Sequence, residues 1–409
     1  MLFSADHRRS LIPVVPFLVI YLGGLALFGL HRPCWHDECH FVDTIMGFEQ
    51  QFTLSTLTHY NEMSMPLPFV LYAAWGKAFG DSLMVLRLFS LCITGVTLLS
   101  FQYLFFLTVR NRTVSFLLLL FLALNPYMAG AGVFVYTDML MMLSLALFMT
   151  GIVRRNAPLL FFSAAAGLLC RQYFIFAVAA GILYFILSGT RNSGEDLPWR
   201  APVGALLAAT IPAAALFALW HGLNPDNADK SLYISGGPRF HPNSLTLYIT
   251  LFSVYAFPLL AVYRKRFYRN PRILVCSLLC GLWYPLFPIV ASAVALDVNK
   301  PTVGYFHRLL RRWPGERFEH WVFFVLFTLA LPVCFRLGID LIGGVRLRKV
   351  DLRVFLGLAT FSFLAVMPFS YLHWEKYFLP LVPVLALYCA TAPISSGSKP
   401  GRRNTAGLP

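Results

Sequence analysis

The chain has 409 residues, of which 58% are hydrophobic and only 12% charged, and its formal net charge is +15. A soluble domain of that composition would have nowhere to hide its apolar side chains, so an all-α polytopic membrane protein is expected instead. The positive charge does not point to nucleic acid, because the basic residues fall in short clusters between apolar runs, as membrane topology demands.

In chain order, segments long enough to cross a hydrocarbon layer of roughly 30 Å are read at 11–30, 83–109, 113–130, 136–153, 201–220, 244–263, 272–295, 320–340, 353–370 and 377–394. The first follows Arg8 and Arg9, lacks a small-residue cleavage signal and reads as a signal anchor. The long apolar run between Arg155 and Arg191 is interrupted by Cys170-Arg171-Gln172. A charge at mid-bilayer is expensive and one at a turn is not, so this run splits into two helices, making about 12 transmembrane helices in all. Residues 66–80 are apolar but short and carry Pro66 and Pro68, which predicts an interfacial helix in the first outer loop. Residues 1–394 thus form one integral membrane domain, and 395–409, rich in Ser, Gly and Pro, read as a disordered cytoplasmic tail.

With both termini cytoplasmic, Arg110/Arg112, Arg154/Arg155, Arg264-Lys265-Arg266 and Arg346/Arg348/Lys349 all fall on the inside. Arg308, Arg311, Arg312 and Arg317 then lie outside and need a local cause, such as anionic headgroups or a phosphate-bearing substrate.

The outer face collects the unusual polar residues. In "HDECH", residues 36–40, Asp37 and Glu38 are either solvated residues of a loop helix or a pair in which one carboxylate accepts a hydroxyl proton while the other positions it. The same stretch is similar to the zinc motif H-E-x-x-H, but Asp37 stands where Glu belongs, and only Cys34 or Cys39 is near as a third ligand, so no metal is assigned. Those two cysteines could instead form a disulfide if that face is oxidising. Arg171 is either a snorkelling turn residue or an anion ligand, since its planar fork matches phosphate oxygens. Asp138 is either a helix N-cap or the partner of Arg171.

The order of these features resembles the C-type membrane glycosyltransferase superfamily, most of all the dolichyl-phosphate-glucose alpha-1,2-glucosyltransferases. Asp37-Glu38-Cys39-His40-Phe41, Pro68-Phe69-Val70-Leu71-Tyr72, Leu86-Arg87-Leu88, Tyr136-Thr137-Asp138 and Arg171-Gln172 carry the likeness. Tyr173-Phe174 stand where that family has Thr-Asn, and Arg239 and His241 echo a motif from which Asp and Lys are missing. Asn299, Lys300 and Arg308 look like a later basic-aromatic motif, and Lys376-Tyr377 are similar to the closing one.

The resemblance implies transfer of a hexose, glucose in that family, from a polyprenyl-phosphate sugar to an acceptor hydroxyl at the extracytoplasmic or lumenal face, with inversion and without a cofactor. Asp37 and Glu38 would be catalytic. His40, Tyr136, Asp138, Arg171, Gln172, Arg239, His241, Asn299, Lys300, Arg308 and Lys376 would bind donor or acceptor. The partners implied are the donor, a lipid-linked glycan or other hydroxyl acceptor, and membrane lipids of the bacterial inner membrane or endoplasmic reticulum. The competing class is a polytopic lipid or solute transporter or flippase, which calls for charges near mid-bilayer and pseudo-repeats.

Overall fold

The computed structural model describes residues 14–34, 37–191, 199–225, 239–292, 295–296, 300–313, 315–370 and 372–391, and among these the regular structure is entirely helical. Asn299, His36 and the tail 395–409 lie outside the described residues. Five helices are long and apolar enough to cross a membrane: Leu83–Val109, Gln172–Gly189, Arg200–Leu219, Glu316–Arg346 and Leu352–Phe369. A sixth crossing results if the bent pair Arg112–Ala123 and Pro126–Val133 forms one span.

Several expected spans are therefore shorter or more broken than hydropathy suggested. The segment read at 113–130 bends by 70° where Asn125 caps the second helix and Pro126 begins it. The segment read at 244–263 is interrupted at Ala256, followed by Pro258 at the start of Phe257–Val262. The segment read at 272–295 gives only Pro271–Gly281 and Trp283–Leu286, and the one at 377–394 gives a short turn and Leu381–Ala390. A hydropathy sum runs straight across such breaks, whereas a proline removes the helical hydrogen bond and favours a new first turn. A short helix is present in the 66–80 stretch, as Leu67–Phe79.

Polar side chains cap the ends that leave backbone N–H groups unmet. Asn111 receives Val114 N, Asn156 receives Leu159 N, and Asp351 receives Arg353 N and Val354 N. Packing runs through the pairs Asp138–Arg154 with Ala157–Cys170, Pro242–Tyr255 with Glu316–Arg346, Leu83–Val109 with Asp138–Arg154, and Ile175–Arg191 with Leu352–Val366. Phe101, Phe105, Leu119, Phe148, Phe176, Phe252 and Tyr388 are buried between them. Ile20, Leu27, Phe162, Val262, Leu278 and Leu286 point outward, which suits a hydrocarbon surround and not water.

The break at Arg171 is where the sequence placed it. Ala157–Cys170 ends, Arg171 is extended with φ −149° and ψ 126°, and Gln172–Phe174 form a single tight turn before Ile175–Arg191. Gly167 makes this turn possible, because a Cβ there would lie 2.5 Å from the Phe174 ring. Gly167 also supplies the carbonyl that receives Arg171 N, at 3.0 Å. Gly167→Ala is expected to destabilise the fold by about 1–3 kcal/mol through overpacking. Thermal unfolding in detergent tests this, and an unchanged midpoint would show that the turn has slack.

Candidate functional site

One cavity of about 720 Å³ gathers residues from six parts of the chain. Asp37 and His40 come from the start of Asp37–Gln50, and Asn61 to Ser64 from the loop after the short helix Leu54–His59. Leu168, Arg171, Gln172 and Tyr173 come from the break described above. Ala213, Ala214 and Phe217 of Ile211–Leu219 make one apolar wall, and Val366, Met367 and Phe369 contribute another. Lys376 and Tyr377 complete the polar end.

Asp37 is the first residue of its helix, where the unmet N–H groups favour a carboxylate. Its Oδ2 receives Lys376 Nζ at 2.8 Å, while 40% of its side chain stays exposed. The Lys376 ammonium is the main reason that the Asp37 carboxyl is lowered to about 2. Partial burial opposes this effect, and Lys300 and Arg171 add to it at longer range. Burial in turn works against the charge on Lys376, but Asp37 more than offsets it and holds the ammonium protonated. The same ammonium stands 5.5 Å from the Tyr136 ring and 5.8 Å from that of Tyr377, positions suited to cation–π attraction.

Lys376 is held in place by its neighbour. Glu375 is fully buried and accepts from the hydroxyls of Tyr255 at 2.7 Å and Tyr127 at 3.1 Å, and from the backbone N–H groups of His307 at 2.8 Å and Phe306 at 2.9 Å. Burial raises its pKa, although all four donors pull the other way. The carboxylate thereby clamps the short turn Glu375–Phe378 to the start of Tyr305–Arg312.

Arg171 is buried and reaches Asp138 with Nη2, at 3.3 Å to Oδ2 and 3.4 Å to Oδ1. Of the two readings of Asp138, the structure thus takes the ion-pair partner. Arg171 Nε is buried with no partner among the described residues, while other parts of the side chain line the cavity. Gln172 Nε2 donates to Met63 O at 2.6 Å, Asn224 Oδ1 at 3.2 Å and Leu223 O at 3.3 Å, tying two loops to the rim.

Glu38 does not face this cavity. Its side chain is 0% exposed and takes both Arg87 Nε, at 2.9 Å, and Arg87 Nη2, at 2.6 Å, with Val135 N as a further donor at 2.9 Å. A carboxylate so engaged holds the first loop and lines no part of the cavity, so the structure does not bring it to Asp37 there as the expected catalytic pair. Of the other expected residues, His40 lines the cavity, Tyr136 and Asp138 stand directly behind it, and Lys300 lies 5.8 Å from the Trp374 ring. Arg239 and Arg308 are exposed and line no part of it. His241 packs against His373 instead, with ring centroids 6.3 Å apart. Asn299 is outside the described residues.

Cys34 and Cys39 form a disulfide beside Asp37. Among the described residues no three His, Cys, Asp or Glu side chains gather as a metal site would require. Of the arginines at 308–317, Arg311 has a local partner. Arg311 bonds Glu319 at 3.1 and 3.2 Å, and Glu319 also meets His307 Nε2 at 3.1 Å.

One cavity residue had not been singled out from the sequence, Glu62. Glu62 lines the cavity within the loop Asn61-Glu62-Met63-Ser64, and burial raises its carboxyl to about 7. The available signal was a lone acid just before the two prolines of the stretch "HYNEMSMPLP". In comparisons with known proteins, no family model matches the chain, and neither a curated protein nor a solved structure does.

Proposed function

We propose that this chain is a membrane glycosyltransferase. In this reading it moves a hexose, glucose by the sequence resemblance, from a polyprenyl-phosphate sugar to an acceptor hydroxyl at the extracytoplasmic or lumenal face, inverting the anomeric carbon. The shorter apolar helices complete a bundle of about twelve crossings with both termini cytoplasmic. The observation that carries the reading is the joining of Asp37, Arg171 and Lys376 at the polar end of one cavity whose other walls are apolar.

The chemistry follows from that arrangement. The donor is a phosphodiester with one negative charge, and its leaving group is a phosphate monoester with two. Fixed cations stabilise the charge that develops, most effectively where water is scarce. Lys376 and Arg171, both on the cavity wall, supply them, and Gln172 keeps the rim in shape. A carboxylate must lie at the acceptor hydroxyl, and Asp37 is in place for that hydroxyl to donate to it. The wall formed by Ala213, Ala214 and Phe217 offers a slot between helices for the isoprenoid chain. The disulfide between Cys34 and Cys39 supports an oxidising, extracytoplasmic setting for the first loop.

The test is to incubate purified protein in detergent with a panel of polyprenyl-phosphate sugars and a hydroxyl acceptor. One donor is expected to be consumed, releasing polyprenyl phosphate. Asp37→Asn is expected to lower turnover by about 10²-fold through misplaced reactants, with donor binding retained. Consumption of no donor, together with movement of lipid across liposomes, would replace this reading with the transporter one.

A further inference from the structure

Asp37 is a weak proton acceptor where it stands, because its ion pair with Lys376 holds its carboxyl near 2. Glu38 is sealed against Arg87. The acceptor hydroxyl nevertheless has to lose a proton as it attacks. Among the described residues lining the cavity, the remaining carboxylate is Glu62.

Its loop is held from both sides. Tyr60 Oη donates to Ser64 O at 2.7 Å, closing the turn across Glu62, and Gln172 Nε2 grips Met63 O at 2.6 Å. Behind the loop, Trp220 Nε1 donates to Leu57 O at 3.1 Å and its ring packs edge-on to Tyr60. A loop fastened this tightly, whose one acidic side chain lines a cavity and meets no donor among the described residues, is built to present that side chain to a ligand.

Resting on the transfer reading above, we infer that Glu62 is the group that takes the acceptor's proton, while Asp37 orients the hydroxyl and the Lys376 ammonium. In the step, the acceptor oxygen bonds to the anomeric carbon as the bond from that carbon to the phosphate oxygen breaks. The electron pair of the broken bond stays on the phosphate, which departs as a dianion between Lys376 and Arg171. The hydroxyl proton passes to Glu62, so the total charge is unchanged. The protonated Glu62 then returns its proton to water through the cavity mouth.

The electrostatics match the task. Burial is the main influence raising the Glu62 carboxyl to about 7, and Asp37 reinforces it while Arg171 and Lys376 oppose it. The other titratable groups on the cavity wall are His40, Tyr173 and Tyr377. A base matched to neutral pH is the most effective kind, since it is both deprotonated and still basic.

Two measurements test this. A hydrophobic carbodiimide reacts with protonated carboxyls in apolar sites, so labelling of Glu62, read by mass spectrometry, should fall by half near pH 7. Asp37 should stay unlabelled between about pH 5 and 9. In turnover assays, kcat/KM of the wild type should rise about tenfold per pH unit up to that midpoint and then level off. E62Q should lose about 10²-fold or more in kcat while keeping polyprenyl-phosphate affinity and unfolding temperature, and E62D should recover part of the rate. Glu62 that does not titrate near neutrality overturns the inference, as does an E62Q enzyme that keeps both its rate and its acid limb. A wild type that consumes no donor overturns the transfer reading and takes this role with it.

Discussion

Under the proposed sugar transfer, Lys376→Met is expected to lower kcat/KM for the polyprenyl-phosphate hexose by about 10²–10³-fold, equivalent to about 3–4 kcal/mol of transition-state stabilisation. Methionine preserves most of the buried stem, so packing beside Tyr136 and Tyr377 survives while the charge is lost. The loss should fall mainly on kcat, because the second phosphate charge exists only as the donor breaks. Lys376→Arg should recover little, since a planar fork does not reproduce a compact ammonium 2.8 Å from Asp37. Rates of donor consumption, measured beside polyprenyl-phosphate binding, check this. A Met variant within threefold of the wild type would remove Lys376 from the chemistry.

The second large effect concerns folding. Glu38→Ala is expected to cost about 3–5 kcal/mol, the usual consequence of leaving one member of a buried ion pair alone. Arg87 is also fully buried. It donates through Nη1 to Gly29 O at 2.7 Å and Arg32 O at 2.6 Å, and through Nη2 to Pro33 O at 3.2 Å, besides its two bonds to Glu38. One guanidinium thus joins the end of Val14–Gly29, the loop that follows it and Leu83–Val109, with Val135 N tied in through Glu38. The double variant Glu38→Met with Arg87→Met should lose less than the sum of the single changes, because no charge remains unpaired. Unfolding midpoints in detergent for the wild type, Glu38→Met, Arg87→Met and the double variant form the cycle. A single variant that loses under about 1 kcal/mol would show that water reaches the pair.

The adjacency of Asp37 and Glu38 illustrates why such roles are hard to read from a sequence. Consecutive residues on a helix point in directions about 100° apart. At the start of Asp37–Gln50 that rotation sends one carboxylate to the cavity and the other into the protein. Arg87 sits 49 residues from Glu38, and nothing local to Leu86-Arg87-Leu88 names its partner. Glu62 escaped notice for a related reason, since an acid in a loop looks like solvated surface until the chain closes a cavity around it. The twelve expected crossings failed to appear as twelve long helices because apolar content is additive along a sequence while helical hydrogen bonding stops at Pro126 and Pro258.

By itself the sequence determined the helical, apolar character of the chain, the break at Arg171 and the short helix after Pro66, because each follows from side-chain hydropathy or backbone chemistry within a few residues. Which polar groups meet was decided only by tertiary structure. Lys376 reaches Asp37 across 339 positions, Arg171 reaches Asp138 across 33, and Glu375 is enclosed by Tyr127, Tyr255 and the backbone of Phe306 and His307. Charge pairing acts through space at a few ångströms, and only the packing of the helices brings such distant positions within that reach.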